Sequence, residues 1–405
     1  MIAMPTTRTL AGCLAALLLS IARPGSAAAP NVFPQIAQRA AACVADQRFA
    51  VGDSVVELTF DPAAFAVGAT PVCRWVAQAA TAVAGYFGRF PVRHEHVVIR
   101  PVDGDGVHGG TTWGAGDTDG RPLSVIRLGR AVTLAELDDD WVMTHEMVHL
   151  AVPSVPRNSH WLEEGIATYV EPIARVQQGQ LSAKKVWADM LHGMPKGLPA
   201  EGDRGLDRTP TWGRTYWGGA LFCLLADVEI RRRTHNRSGL REALRGVIAA
   251  GGNIEQDWPV AKIIRIADDA TRDAGALAGL YSEMGDAPGP ADIDSLWRRL
   301  GVVADGAGIR FVDDAPDAAI RKAITATDAT GAYSSPALTL GGHYVVAFGA
   351  IPPDLSFYYP AYVCAYPNCS LANAQAVQLG AAQNYPNIDL AIPHLDLIFR
   401  GGFDP

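Results

Sequence analysis

His145-Glu-Met-Val-His149, followed after a short proline-bearing link by Trp161-Leu-Glu-Glu-Gly165, is the stretch from which the rest of the chain can be read. The first string sits in a run with helical apolar spacing, Leu134 to Val152, which Pro153 stops. Histidines four apart on a helix project from one face, one turn from each other. Both imidazoles can then reach a single Zn²⁺ at about 2.0–2.1 Å. Glu146, directly after the first histidine, can act on a metal-associated water as general base. A catalytic zinc normally has three protein ligands and one open position, so a third ligand is needed. With ten histidines in 405 residues, such a five-residue string arises by chance on the order of once in a hundred chains. The second string at a workable distance makes coincidence rarer still.

Trp161 to Gln178 has the spacing of a second helix, interrupted or bent near Pro172. Fourteen residues lie between His149 and Glu164, and the link contains Pro153 and Pro156, so the second helix can fold back onto the first. Adjacent glutamates point about 100° apart on a helix, so only one of Glu163 and Glu164 can face the metal. The other is then a solvated helix residue. Thr168, one turn beyond Glu164, could orient a ligand histidine. Glu171 shares that face and reads equally as support for the site or as half of a surface salt bridge. His160 reads as a loop histidine.

The two strings together resemble the gluzincin metallopeptidases. In that group the glutamate directly before glycine in a Trp-Leu-x-Glu-Gly string is the third zinc ligand, which implies Glu164. Tyr216-Trp-Gly-Gly-Ala-Leu-Phe-Cys-Leu-Leu-Ala-Asp-Val-Glu-Ile-Arg231 and the following Ser238-Gly-Leu-Arg-Glu-Ala243 are similar to the helix after the zinc site in the glycyl aminopeptidase family. The resemblance implies that Tyr216 donates a hydrogen bond to the tetrahedral intermediate; packing among Trp212 and Trp217 is the alternative role. Gly88-Arg-Phe-Pro91, a strand, and then Gly109-Gly110 resemble that family's substrate-binding edge. The likeness covers roughly residues 50–325. Two positions depart from it. The family's Gly-Gly-x-Glu string, whose glutamate holds a substrate amino terminus, reads Gly109-Gly-Thr-Thr112. Trp217-Gly218 stands where the family has a lysine after the tyrosine. Aminopeptidase and endopeptidase activity both stay open. The implied chemistry is peptide-bond hydrolysis by a zinc-activated water, with one Zn²⁺ and a peptide or protein substrate. A catalytically inactive binding protein of the same fold, or a zinc hydrolase of a non-peptide bond, are the alternatives.

The remainder of the chain fits an exported enzyme. Hydrophobic residues make up 49 % and charged residues 19 %, which excludes a disordered chain. The formal charge is −8 with no basic stripe, so no nucleic-acid partner is expected. Arg8, an apolar run from Leu10 to Ala22, Pro24-Gly25 and Ser26-Ala-Ala-Ala29 have the order of a secretory signal ending near Ala28. No later run is long enough to span a membrane. Export implies a secreted or periplasmic protein in an oxidising compartment, where cysteines pair. Cys364 with Cys369 is the first candidate pair and Cys43 with Cys73 the second, while Cys223, inside an apolar helical run, reads as a buried free thiol.

The fold class expected is α+β: a gluzincin, thermolysin-like catalytic domain with an N-terminal mixed sheet and a helical C-terminal half, over residues 29–326. Strands are predicted at Ser54 to Phe60, Arg93 to Val102 and Leu123 to Leu128, and helices at Val72 to Gly88 and Gly219 to Arg233. Asp103 to Gly120 reads as a glycine-rich stretch, residues 180–212 as loops with one short helix, and 238–325 as further helices. Near Ala326 turn signals begin to separate short alternating runs, and residues 327–405 are expected to form a small β-rich module. Gly341-Gly-His-Tyr-Val-Val-Ala-Phe348 and Phe357-Tyr-Tyr-Pro360 resemble later strands of carboxypeptidase-regulatory-like modules. Surface or glycan contact is open to this tail, and a structural appendage is its simplest role.

Overall fold

The alternation that predicts strands here is a burial pattern: Val97, Ile99, Ile126 and Leu128 are all buried between one face of a sheet and the helices behind it. A computed structural model describes residues 32–326, apart from 273, 274, 291 and 307, and five short strands between 343 and 378. The signal-sequence reading and the Cys364–Cys369 pair lie outside the described residues, as does most of the tail. The expected domain boundary at 326 falls at their edge.

Helix α1 (Val32–Asp46) leads into the hairpin β1 (Arg48–Val51) and β2 (Ser54–Thr59). Helix α2 (Ala69–Phe87) follows and ends at Gly88. Gly88 has φ +79°, a left-handed stop that a glycine adopts without strain. A disulfide joins Cys43 of α1 to Cys73 of α2, the pair that spacing placed second. Strands β3 (His94–Val102), β4 (Val107–Trp113) and β5 (Leu123–Gly129) complete a five-stranded sheet in the order β1-β2-β3-β5-β4. β2, β3 and β5 run parallel, and β4 returns antiparallel to β5 along the sheet's edge. The glycine-rich stretch therefore contains a strand, at the Gly109-Gly110 edge that the family resemblance implied.

The predicted helix from Leu134 to Val152 is two helices, α3 (Leu134–Asp139) and α4 (Val142–His149). Asp140 makes the break. Its backbone is extended, and its carboxylate accepts from the amides of Val142 and Met143 and from Trp75 Nε1. It is a cap for α4 fastened to α2. Helix α5 (Trp161–Gln177) runs through Pro172 without an interruption. Helix α6 (Ala183–Gly193) and a π-helical turn, Arg214–Gly218, precede α7 (Gly219–Thr234).

α5 and α7 cross at two glycines. A Cβ on Gly165 would come within 2.4 Å of the Gly219 backbone, so no larger residue fits the crossing. Beneath it lies a buried polar network: Asp227 pairs with Arg231 at 2.7 Å and accepts from the Tyr169 hydroxyl and the Leu240 amide. It ties α5 and α7 to α8 (Leu240–Ala249). α9 (Val260–Thr271), α10 (Ala276–Met284), α11 (Ile293–Leu300) and α12 (Ala318–Ile324) complete the helical half. A hairpin, β6 (Val302–Asp305) with β7 (Gly308–Phe311), interrupts the expected run of helices where Gly301 turns left-handed. In the tail, Ala347–Ile351, Leu355–Tyr358 and Tyr362–Ala365 form an antiparallel sheet. No helix among the described residues is long and apolar enough to cross a membrane.

The described chain is thus a mixed α/β fold, with an N-terminal mixed sheet and a helical second half. The site lies where α4 and α5 meet beneath the edge strand β4.

Candidate metal centre

α4 buries nearly every side chain from Val142 to Val148, including His145 and Glu146. An eight-residue helix buried this fully must satisfy its polar side chains locally. It does so across α5 and β4. His145 Nε2 lies 3.2 Å from Glu164 Oε2, and His149 Nε2 lies 3.6 Å from the same oxygen. One ligand atom from each of the three residues lies within 4.8 Å of the others. A four-coordinate ion with bonds of about 2.1 Å holds neighbouring donors about 3.4 Å apart, so two imidazole nitrogens and this carboxylate oxygen fit a zinc-sized ion.

The electrostatics agree with that donor set. Burial, with the His145 ring alongside, pulls the His149 imidazole down to about 3, leaving it in the neutral form that metals bind. Burial works against ionisation of Glu164. Hydrogen bonds from His145 and His160 and the field of His149 outweigh it and hold this carboxyl well below the usual carboxylate range. Burial raises Glu146 above an ordinary glutamate, and the Glu164 charge adds to that; His145 and a hydrogen bond from Thr112 oppose it.

Glu163 points elsewhere. Its carboxylate accepts from the Val155 amide at 3.2 Å and pairs with His160 Nδ1 at 2.6 Å. It is no ligand candidate, yet it is also not the free solvated residue expected from helix phase: it pins the link between α4 and α5. His160 is the residue that sequence reasoning undervalued. Its Nε2 lies 3.2 Å from Glu164 Oε1 while its Nδ1 holds Glu163, and these two contacts push its imidazole up to about 10. The signal was present: His160 stands three and four residues before the two glutamates, which is helical contact spacing. Thr168 does not orient a histidine; among the described residues its buried hydroxyl has no hydrogen-bond partner. Glu171 forms an ion pair with Arg175 at 2.9 Å, and that pair is buried instead of lying on the surface.

Tyr216 comes from the π-helical turn. Its ring stacks at 6.3 Å from His145 and 5.9 Å from Trp212, so it packs against a ligand candidate as well as a neighbouring tryptophan. Burial, then the nearby Glu164 and Glu146 carboxylates, push its phenol up to about 12, so it remains a donor at neutral pH. Single π turns inside helices often occur at functional sites.

The edge strand closes the site. Gly110 and Thr112 lie two apart and so share a face of β4. A Cβ on Gly110 would meet Glu146 Cγ at 2.5 Å, so only glycine leaves room for the glutamate. Thr112 donates to Glu146 Oε2 at 2.8 Å. The residue standing where the resembled family has glutamate is thus spent on Glu146.

No protein-family model and no curated protein matches the chain. Among solved structures, it is similar to an aminopeptidase N family protein from Idiomarina loihiensis at 13 % identity and TM-score 0.47, over 66 % of this chain and 52 % of that one. It is also similar to an M1 zinc metallopeptidase from Deinococcus radiodurans at 16 % identity and TM-score 0.38, over 60 % of this chain and 52 % of that one. The chain spans about half the length of these structures.

Proposed function

We propose that this chain is a zinc-dependent peptidase in which His145, His149 and Glu164 hold the ion and Glu146 is the general base. The observation that carries the reading is the convergence of two imidazole nitrogens and one carboxylate oxygen within 4.8 Å, with a second buried carboxylate on the same helix. A zinc ion held there supplies Lewis acidity, polarising a carbonyl and making a water acidic near neutral pH.

The chain's own groups carry the remaining chemistry. Glu146 takes the proton of the attacking water and delivers it to the leaving amine. Its burial favours this shuttle, because a carboxylate kept from solvent is a stronger base. The Tyr216 phenol donates a hydrogen bond to the developing oxyanion. Among the described residues no strand pairs with the outer edge of β4, so its backbone can pair with an extended substrate. Thr112 leaves no carboxylate at the family's amino-terminus-binding position, and both exo- and endopeptidase action fit this edge.

The Cys43–Cys73 bridge and the N-terminal apolar run support an exported protein, secreted or periplasmic. Incubating the protein with a mixed peptide library, with and without chelator, tests the reading. Cuts that chelator abolishes and zinc restores are expected, and Glu146→Gln should remove them. Cleavage that persists in that variant contradicts the assignment of the base.

A further inference from the structure

Behind Glu146 a line of hydroxyls crosses three strands. Thr112 of β4 donates to Glu146 Oε2 at 2.8 Å and lies 3.2 Å from that residue's own carbonyl oxygen. Ser124, its partner across the register on β5, sits 3.0 Å from Thr112 Oγ1. Ser124 Oγ is in turn 2.7 Å from Glu95 Oε1 on β3. Ser124 is fully buried and Glu95 is 1 % exposed. Among the described residues Glu95 Oε2 has no hydrogen-bond partner and no cation pairs with this carboxyl.

Proton counting gives the line a direction. Each hydroxyl has one proton to donate. A carboxyl buried with one oxygen unpartnered and no counter-ion costs least when neutral, with its proton on the oxygen that has a partner, so Glu95 donates from Oε1 to Ser124. Ser124 then has its own proton for the 3.0 Å contact with Thr112, and Thr112 has its proton for Glu146 Oε2. Run in reverse, the line puts the negative charge on Glu95, a buried carboxyl with one oxygen unpartnered and no counter-ion, which is the costlier arrangement.

We infer that Glu95 is a neutral carboxylic acid heading a one-way donor line, Glu95 to Ser124 to Thr112 to Glu146, that fixes Oε2 of the base and reserves Oε1 for the proton of the attacking water. Glu95 is a positioning residue, and that role rests on the reading of Glu146 as the base. Burial pushes the Glu95 carboxyl up to about 8 and the Glu146 charge acts in the same direction; only a Ser124 hydroxyl turned to donate to the carboxylate would oppose them.

Two measurements test this and separate it from the functional reading. The first is infrared difference spectroscopy of metal-free wild type against Glu95→Gln at neutral pH. The carbonyl band of a buried protonated carboxyl should be present in wild type and missing from the variant. Identical spectra overturn the neutral acid, whatever the enzyme does. The second is steady-state kinetics of the zinc-loaded protein. Glu95→Met and Ser124→Ala should each lower kcat about tenfold with KM unchanged, the scale of one hydrogen bond lost to a charged group. Glu95→Gln, whose amide can still donate to Ser124, should recover most of that loss. Equal kcat in Glu95→Gln and Glu95→Met, with both variants folded by circular dichroism, overturns the donor line. A protein that shows the infrared band but cuts no peptide refutes the peptidase reading and leaves the neutral acid standing.

Discussion

His160 Nε2 approaches Glu164 Oε1 at 3.2 Å, on the oxygen opposite the one that faces His145 and His149. The ligand candidate is thus held from behind by a histidine whose other nitrogen is anchored on Glu163. Groups that orient a ligand in this way typically change metal affinity by 10- to 100-fold. His160→Ala should weaken zinc binding at least about tenfold while leaving the fold intact. Competition against a fluorescent zinc chelator measures this, and an unchanged affinity would remove His160 from the site.

Gly110 should tolerate nothing larger. A methyl group there would collide with the Glu146 side chain and with Ile126 Cδ1, at 2.5 and 2.7 Å. Gly110→Ala is expected to shift the base and cut kcat at least about tenfold with zinc content unchanged, a misplacement effect and not a ligand loss. Metal analysis beside kinetics separates the two, and loss of the metal would contradict this account.

The Glu95 carboxyl also makes a stability prediction. Its pKa is pushed from 4.5 up to about 8 in the folded chain. Below the lower value both states are protonated and the group contributes nothing. Between the two values the unfolded chain releases the proton while the folded chain retains it, so folding stability falls as pH rises. Above about 8 the loss is complete. Glu95→Gln has no such proton. From about pH 5 to about pH 9, wild type should therefore lose a few kcal/mol relative to this variant in urea unfolding. Parallel stability curves would show that the carboxyl titrates normally.

The Cys43–Cys73 bridge closes a segment with a sequence separation of 30. Loop-closure entropy on that scale is worth about 3–4 kcal/mol. Changing both cysteines to serine should lower unfolding free energy by about that amount, with kcat unaltered, because the bridge fastens α1 to α2 and touches no residue of the site. A large change in kcat would link α1 to the chemistry.

The strings on α4 and α5 were legible because each is one helical face read at fixed spacing, and a metal needs such convergent donors. The break at Asp140 was not, since its cap is completed by Trp75, some 65 residues away. The β4 edge was legible at Gly109-Gly110 through resemblance, but the fit of Gly110 around Glu146 leaves no mark in the sequence. Glu95 and Ser124 carried no local pattern at all: register pairs Ser124 with Thr112, and Glu95, two residues before Ser124's partner Val97 on β3, reaches Ser124 diagonally. Tyr216 drew attention through resemblance, whereas the π turn that stacks it on His145 leaves no mark in the sequence.

The most direct measurement is zinc stoichiometry by mass spectrometry of the native chain and three variants. One ion per chain is expected for wild type and Glu146→Gln, a retained ion in Glu163→Ala, and none in Glu164→Ala. Zinc held by Glu164→Ala but lost from Glu163→Ala, or no zinc in wild type, would contradict the two-imidazole, one-carboxylate centre on which the functional reading depends.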